Sequence, residues 1–234
     1  MSSTANLLDA GLVPYPEALE LQRSLAVAVA EGESPDTVIL VEHPPVITTG
    51  RRTDEATELH IPAGAAVELA ETDRGGKSTY HAPGQLVCYP ILDLHRHGKD
   101  VRKYVRDLER AILQTLGAFD LAATTMEGLT GVWMPPAGSR GPRKIASIGV
   151  RVSRWVTTHG FALNVDLDPA PFTEWITACG LDDAEFTSMT RELGRPVSVT
   201  EVKPAAVAAL AGVFGLELGT AASGPAAEPV AATV

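Results

Sequence analysis

Two β-type runs, residues 144–153 (KIASIGVRVS) and 157–165 (TTHGFALNV), stand three residues apart near the centre of the chain. Aliphatic and β-branched residues fill both, and the break at Ser153-Arg154 predicts an antiparallel pair turning there. The stretch continues to Cys179-Gly180. It starts at a lysine, Lys144, inside an apolar run. Between Lys144 and Asp166 there is no acidic residue, while Arg151, Arg154 and His159 are all present. A thiol reacts as its thiolate, and nearby cations lower its pKa. The stretch therefore supplies a candidate nucleophile, a candidate proton partner and cationic surroundings.

The remaining chain reads as scaffold. Residues 1–10 read as a loose tail. Residues 16–30 predict a helix, with Pro16 in its first turn, a stripe of Ala18, Leu21, Leu25 and Ala28, and Gly32 as its stop. Residues 37–42 and 46–49 predict strands, separated by His43-Pro44-Pro45. Residues 53–70 form a surface connection with a helical turn and a strand near Val67. Residues 85–92 are β-type. Residues 99–116 give the clearest helix, with Val101, Tyr104, Val105, Leu108, Ile112 and Leu116 on one face. Strands follow at 121–126 and 131–134, then a flexible loop, PPAGSRGPR. Pro171 opens a short helix closed by Gly180, residues 187–193 form another, and Ser198 or Thr200 caps a last helix to Phe214. Residues 218–234 are low-complexity and read as disordered. Strands and helices mix without strict alternation. The expected fold is therefore α+β, a mixed β-sheet packed by helices, with a single domain over residues 11–217.

Length allows one domain with a substantial core. No apolar run approaches the ~18 residues of a membrane span. MSSTANLLDAG has neither a basic n-region nor an h-region, so no signal peptide is expected. Two cysteines, Cys88 and Cys179, are too few for a disulfide framework or a cysteine zinc site. Six scattered histidines show no paired-ligand spacing, so no metal is expected. A reducing, cytosolic compartment follows. The net charge of −10 argues against general nucleic-acid binding. Yet residues 128–165 and 74–92 hold no Asp or Glu and carry several Arg and Lys. Such locally basic faces suit an acidic partner or an anionic ligand as well as they suit a solvated strand surface.

Three constellations carry chemistry. Arg74-Gly75-Gly76 leads through Lys77-Ser78-Thr79-Tyr80 to His81-Ala82-Pro83-Gly84. Glycines let backbone approach a ligand, and Arg74 and His81 bracket the segment with polar side chains. The plainer alternative is a hairpin that needs glycine for its geometry. No phosphate-binding GxxxxGK[ST] loop occurs. Cys179 ends its predicted helix, where the partial negative charge disfavours a thiolate. Another group must then activate it. Lys144 is the candidate, because an ammonium in an apolar run is desolvated and gives up its proton more readily. The alternative is a buried, inert cysteine, which is the assignment made for Cys88. Finally, His159 precedes Gly160-Phe161-Ala162, whose small residues leave room for a ligand's chain.

Taken in order, several segments resemble the lipoyl(octanoyl) transferase family. They are His43-Pro44-Pro45-Val46-Ile47-Thr48-Thr49-Gly50-Arg51, Arg74-Gly75-Gly76 with Thr79-Tyr80-His81, and Pro83-Gly84-Gln85-Leu86-Val87. They continue with Gly128-Leu129-Thr130-Gly131-Val132-Trp133, Lys144-Ile145-Ala146-Ser147-Ile148-Gly149-Val150-Arg151, His159-Gly160-Phe161-Ala162-Leu163-Asn164-Val165 and Ala178-Cys179-Gly180. Thr187-Ser188 with Glu192 also fits. The resemblance spans residues 12–215.

It implies a fold like the catalytic domain of biotin and lipoate protein ligases. It also implies a ping-pong transfer with no cofactor. Cys179 would take an octanoyl group from octanoyl-acyl carrier protein, with Lys144 moving the proton. The acceptors would be lysines on lipoyl domains of 2-oxoacid dehydrogenase complexes and on the glycine cleavage H protein. The acyl pocket would be lined by residues 74–81, by Ser147, Ile148 and Gly149, and by His159, Gly160, Phe161 and Ala162. A monomer acting without membrane or nucleic acid is expected. One departure is Ala82, where the family usually has glycine. A need for φ > 0 there would cost alanine on the order of 1 kcal/mol. Two other readings remain open at this stage: an ATP-dependent lipoate–protein ligase, which would not need Cys179, and a non-catalytic acyl or carrier-protein binding module.

Overall fold

The structure, a computed structural model, describes residues 3–177 and 185–220. In chain order the first half comprises β1 (Ser3–Leu12), α1 (Tyr15–Glu31), β2 (Asp36–Glu42), β3 (Val46–Thr49), α2 (Glu55–Glu58), β4 (Glu68–Glu71), β5 (Thr79–His81), β6 (Gln85–Ile91) and α3 (Val101–Gly117). The second half comprises β7 (Thr124–Met126), β8 (Leu129–Met134), β9 (Arg143–Ser153), β10 (Val156–Asn164), α4 (Pro171–Glu174), β11 (Glu185–Phe186), α5 (Met189–Leu193), α6 (Val199–Phe214) and β12 (Leu216–Thr220).

The strands form a mixed sheet in the order β12-β1-β2-β6-β10-β9-β8-β7, with β11 alongside β9. The first three run parallel, and the pairs from β2 to β7 are antiparallel. The predicted hairpin is present: Ser153 faces Val156, and Arg154 (φ 50) and Trp155 (φ 66) make the two-residue turn with both φ positive, as a type I′ hairpin requires. A second, small sheet, β4-β3-β5, stands off the first.

Helices cover both faces of the large sheet. One face buries Leu40, Leu86, Phe161 and Leu163 against Leu108 and Ile112 of α3 and Val202 and Leu210 of α6. The other packs Ile39, Val41, Val87 and Ala162 against Ala18 and Val29 of α1. The small sheet has its own core, in which Ile47 and Tyr80 meet Phe172 and Phe186. Sequence signals set several helix ends. Gly32 closes α1 at φ 76, Asp100 accepts from the Lys103 N–H at the start of α3, and Ser198 with Glu201 forms a capping box on α6. Among the described residues no helix is long and apolar enough to cross a membrane.

Both terminal tails need correction. Residues 3–10, expected to be loose, lie within β1, which is held on both edges by parallel pairing to β2 and β12. Residues 218–220, expected to be disordered, belong to β12, and 221–234 lie outside the described residues. The helix opened by Pro171 stops at Glu174, short of the expected Gly180. Ile176 pairs instead with Leu59, and the Thr177 N–H donates to the Glu58 carbonyl, which draws the chain out straight. Ala82 is buried in the small-sheet core and is absent from the positive-φ positions, so alanine carries no backbone strain there. The glycine that the turn needs is Gly84 (φ 88), where a Cβ would lie 2.7 Å from the Leu167 nitrogen.

Candidate active site

A β-bulge aims Lys144. Val132 of β8 faces Ala146 of β9, but the next residue, Trp133, faces Lys144, which leaves Ile145 as an extra residue. The extra residue reverses the alternation of side chains along β9. Ile145 and Ala146 therefore both enter the α3/α6 core, while Lys144 and Ser147 both face a cavity on the opposite side. Lys144 is 4 % exposed, and its Nζ lies 5.1 Å from the centre of the Trp133 ring. Its carbonyl accepts from the Thr187 N–H at 3.0 Å. Gly131 lies directly beneath: a Cβ there would stand 2.8 Å from Lys144 Cε.

The cavity, about 280 Å³, lies over the α1-facing side of the large sheet. Of the residues expected to line an acyl pocket, Arg74, Gly76, Lys77, Ser78, Thr79, His81, Ser147, Ile148, Gly149, His159, Gly160, Phe161 and Ala162 line this cavity, together with Lys144. Gly75 and Tyr80 do not. Tyr80 points away into the small-sheet core against Phe172 and Trp175, because its neighbours on β5 take the cavity side. The lining also includes Tyr15, Arg52, Val87, Tyr89, Leu129 and Trp133, which the sequence reading did not select. Cys179 lies outside the described residues.

Loop 74–79 is built around the Arg74 guanidinium, which donates to the carbonyls of Lys77 (2.6 Å) and Thr48 (2.8 Å) and to Thr48 Oγ1. Lys77 pairs with Glu58 of α2. Gly149 and Gly50 give Arg74 its room, since a Cβ on either would approach its side chain to 2.9 Å. A rigid polar chain supports His81. Asn164 Nδ2 donates to the Thr187 carbonyl, Gln85 Nε2 donates to Asn164 Oδ1, and Gln85 Oε1 thus faces His81 Nδ1 at 2.6 Å. The carbonyl end fixes every amide orientation in the chain, and His81 donates from Nδ1. Burial, reinforced by His43, pushes the His81 pKa down to about 3.

Behind the cavity, His43 Nδ1 donates to the Val13 carbonyl at 2.7 Å, so Nε2 accepts from the Tyr89 hydroxyl at 2.8 Å. Burial holds His43 neutral and raises Tyr89 well above its ordinary range. His159, at φ 58, is fixed by Gln22, whose Oε1 accepts its backbone N–H at 2.8 Å. Its Nε2 donates to Asp73 at 3.0 Å, and Tyr15 approaches its Nδ1 at 3.5 Å. Burial lowers the His159 pKa against the pull of Asp73. Burial raises Asp73, but the His159 hydrogen bond and the Arg151 charge outweigh it and hold the carboxyl below its usual range. Burial lifts Tyr15 to about 12.

The basic stretch is less cationic than its sequence suggests. Arg143 and Glu192 make a buried, two-pronged ion pair at 2.9 and 3.0 Å, and Glu192 also accepts from Thr187 Oγ1. Arg151 pairs with Asp73, and Arg154 lies 3.9 Å from Glu31. Cys88 is fully buried in the core, and burial pushes its thiol far up, as expected of an inert cysteine.

This architecture belongs to a known class of catalytic domain. It aligns with an archaeal bi-partite lipoate protein ligase from Thermoplasma acidophilum at a TM-score of 0.72 and 17 % identity, covering 94 % of this chain and 87 % of that one. At that identity the likeness is one of fold, and it bears out the expected mixed-sheet architecture. Sequence is more specific. The lipoyl protein ligase A/B catalytic domain family matches residues 14–211. An octanoyltransferase from Chloroflexus aurantiacus is 44 % identical over 211 residues, covering 88 % of this chain and 92 % of the relative. One from Mycobacterium marinum is 49 % identical over 212 residues, covering 87 % and 86 %. The chain belongs to the octanoyltransferase family and is an acyltransferase.

Proposed function

We infer that the protein moves an octanoyl group from octanoyl-acyl carrier protein to a lysine of a lipoyl domain, through a thioester on Cys179. The observation that carries this reading is the bulge at Ile145. It turns a buried lysine out of the core and onto a cavity whose lining includes Ser147, Gly149, Gly160 and Ala162. In the first half-reaction the Cys179 thiol loses its proton to Lys144 Nζ, and the sulfur attacks the thioester carbonyl. The carrier's thiol leaves and takes that proton back. In the second half-reaction an acceptor lysine amine attacks the enzyme thioester, an amide forms, and Cys179 departs as a thiol. Thioester to amide runs downhill, so no nucleotide is consumed. Arg74, Gly76, Lys77, Ser78, Thr79 and His81, with Gly149 of β9 and Gly160 of β10, bound the acyl chain.

The acceptors are lipoyl domains of 2-oxoacid dehydrogenase complexes and the glycine cleavage H protein. The enzyme works in the cytoplasm as a monomer. The competing reading is an ATP-dependent ligase acting on free acid. The test is transfer to an isolated lipoyl domain with octanoyl-carrier and no ATP, compared with free octanoate plus ATP. Transfer from the carrier alone, lost in Lys144→Ala and Cys179→Ser, supports the proposal. Modification only with free acid and ATP overturns it.

A further inference from the structure

The two ends of the cavity differ in chemistry. Lys144 enters it from the start of β9, opposite Trp133. Toward the other end, Gly149 faces Gly160 and Val150 faces His159, and here Tyr15, Tyr89 and His159 gather, with His81 reaching Tyr15 from its place beside Gln85. Tyr15 stacks on His81 with ring centres 6.1 Å apart, His43 packs edge-on to both, and Tyr89 meets His159 edge-on. Gly149 lies five positions beyond Lys144 on β9, about 13–16 Å from backbone to backbone at ~3.3 Å per residue with the bulge counted. Carbon–carbon bonds of ~1.5 Å in a zigzag advance roughly 1.25 Å each, so an eight-carbon chain spans about 9 Å. Lys144 Cε and Nζ lean along β9 toward Gly149, beside Gly131, so an octanoyl chain whose carbonyl lies within reach of Nζ extends to this polar end.

The hydrogen-bond directions decide what that end offers. The Tyr89 hydroxyl gives its proton to His43, Tyr15 points its proton at His159, and His81 donates from Nδ1 to Gln85. What remains toward the cavity is lone pairs: the two phenol oxygens and His81 Nε2, which has no partner among the described residues. Methylene groups cannot hydrogen-bond to these acceptors, and covering them strips water without replacement. Water fills such a surface well.

Resting on the octanoyl reading above, the geometry points to Tyr15, Tyr89 and His81 as the gauge that sets acyl length. The wall accepts a methyl end at eight carbons and rejects the two further methylenes of a decanoyl chain. The gauge is chemical rather than steric, so removing hydroxyl groups while keeping the rings relaxes it.

The experiment measures kcat/KM with octanoyl-, decanoyl- and dodecanoyl-carrier for the wild type, Tyr15→Phe, Tyr89→Phe and the double variant. The readout is the decanoyl-to-octanoyl ratio, which is independent of any overall loss of activity. The ratio is expected to rise about tenfold in the double variant, the size of a one- or two-methylene discrimination. Tyr15→Phe breaks a 3.5 Å contact with His159 and a weak one with Thr72, so it stays informative if Tyr89→Phe, which leaves His43 Nε2 without its donor, folds poorly. A ratio unchanged within about twofold in folded Tyr15→Phe and in the double variant overturns the gauge and leaves octanoyl transfer standing. Failure of the wild type to transfer octanoyl at all overturns both readings.

Discussion

Replacing Gly131 with alanine attacks the device that presents Lys144. Gly131 sits at φ 122, where a side chain is disfavoured by about 1–2 kcal/mol. Its new Cβ would lie 2.7 Å from the Ala146 carbonyl oxygen, which is backbone and cannot swing aside, and 2.8 Å from Lys144 Cε. Overpacking of this kind costs about 1–3 kcal/mol. Together these give about 2–5 kcal/mol, or a Tm lower by roughly 5–15 °C at this chain length. The functional effect is separate. Lys144 must retreat by several tenths of an ångström or more, and a misplacement of about 1 Å costs on the order of 100-fold in rate. Differential scanning fluorimetry and single-turnover acylation read the two effects. Gly138→Ala is the control: it shares positive φ (61), meets nothing within 4 Å and lies in the loop before β9, so it costs about 1–2 kcal/mol without touching Lys144. Equal acylation rates in Gly131→Ala and Gly138→Ala would refute the reasoning.

Two further outcomes follow from buried charge. His81 titrates near 3 when folded, against an ordinary histidine value of 6.5, so between those values the unfolded chain binds a proton that the folded chain does not. Its stabilising effect is complete above pH 6.5 and is lost as the pH falls: about 2 kcal/mol by pH 5, with His43 and His159 acting in the same direction. Tm should fall by roughly 4–8 °C or more between pH 7.5 and 5, and a flat profile over that range would contradict three neutral histidines. Arg143→Met leaves Glu192 buried without its partner and should cost about 3–5 kcal/mol, while Arg143→Met with Glu192→Leu recovers most of it, since an apolar pair avoids the stranded charge. Urea unfolding of the three proteins measures this, and equal losses in the single and double variants would count against it.

What the sequence displays and what it conceals divide along local and non-local lines. The β9–β10 hairpin, α3 and the Ser198 cap are written in short-range pattern and stand where expected. Most of the residues named for an acyl pocket also meet at one cavity, because they lie on glycine-rich segments whose turns are local. The strand β1 is different: STANLLDAGL has no clean alternation, and its order comes from parallel pairing with residues more than 25 positions away. The bulge at Ile145 leaves no mark in KIAS. Only its register against β8 shows that Lys144 and Ser147 share a face. Tyr15 and Tyr89 carry no local mark of their role, and their place in the cavity wall depends on partners at His159 and His43. The basic stretch misled for the same reason, since Glu192 and Asp73, which neutralise Arg143 and Arg151, are 49 and 78 residues away in sequence. A cue for Glu192 did exist in its place beside the Thr187-Ser188 motif.

The measurement that bears most directly on the account is the intact mass of the purified protein after mixing with octanoyl-acyl carrier protein in the absence of ATP. A gain of one octanoyl group is predicted, released by hydroxylamine, absent in Cys179→Ala, retained in Cys88→Ala, and formed far more slowly in Lys144→Ala. An unmodified enzyme beside carrier that keeps its thioester, or an adduct that survives in Cys179→Ala, would contradict the account.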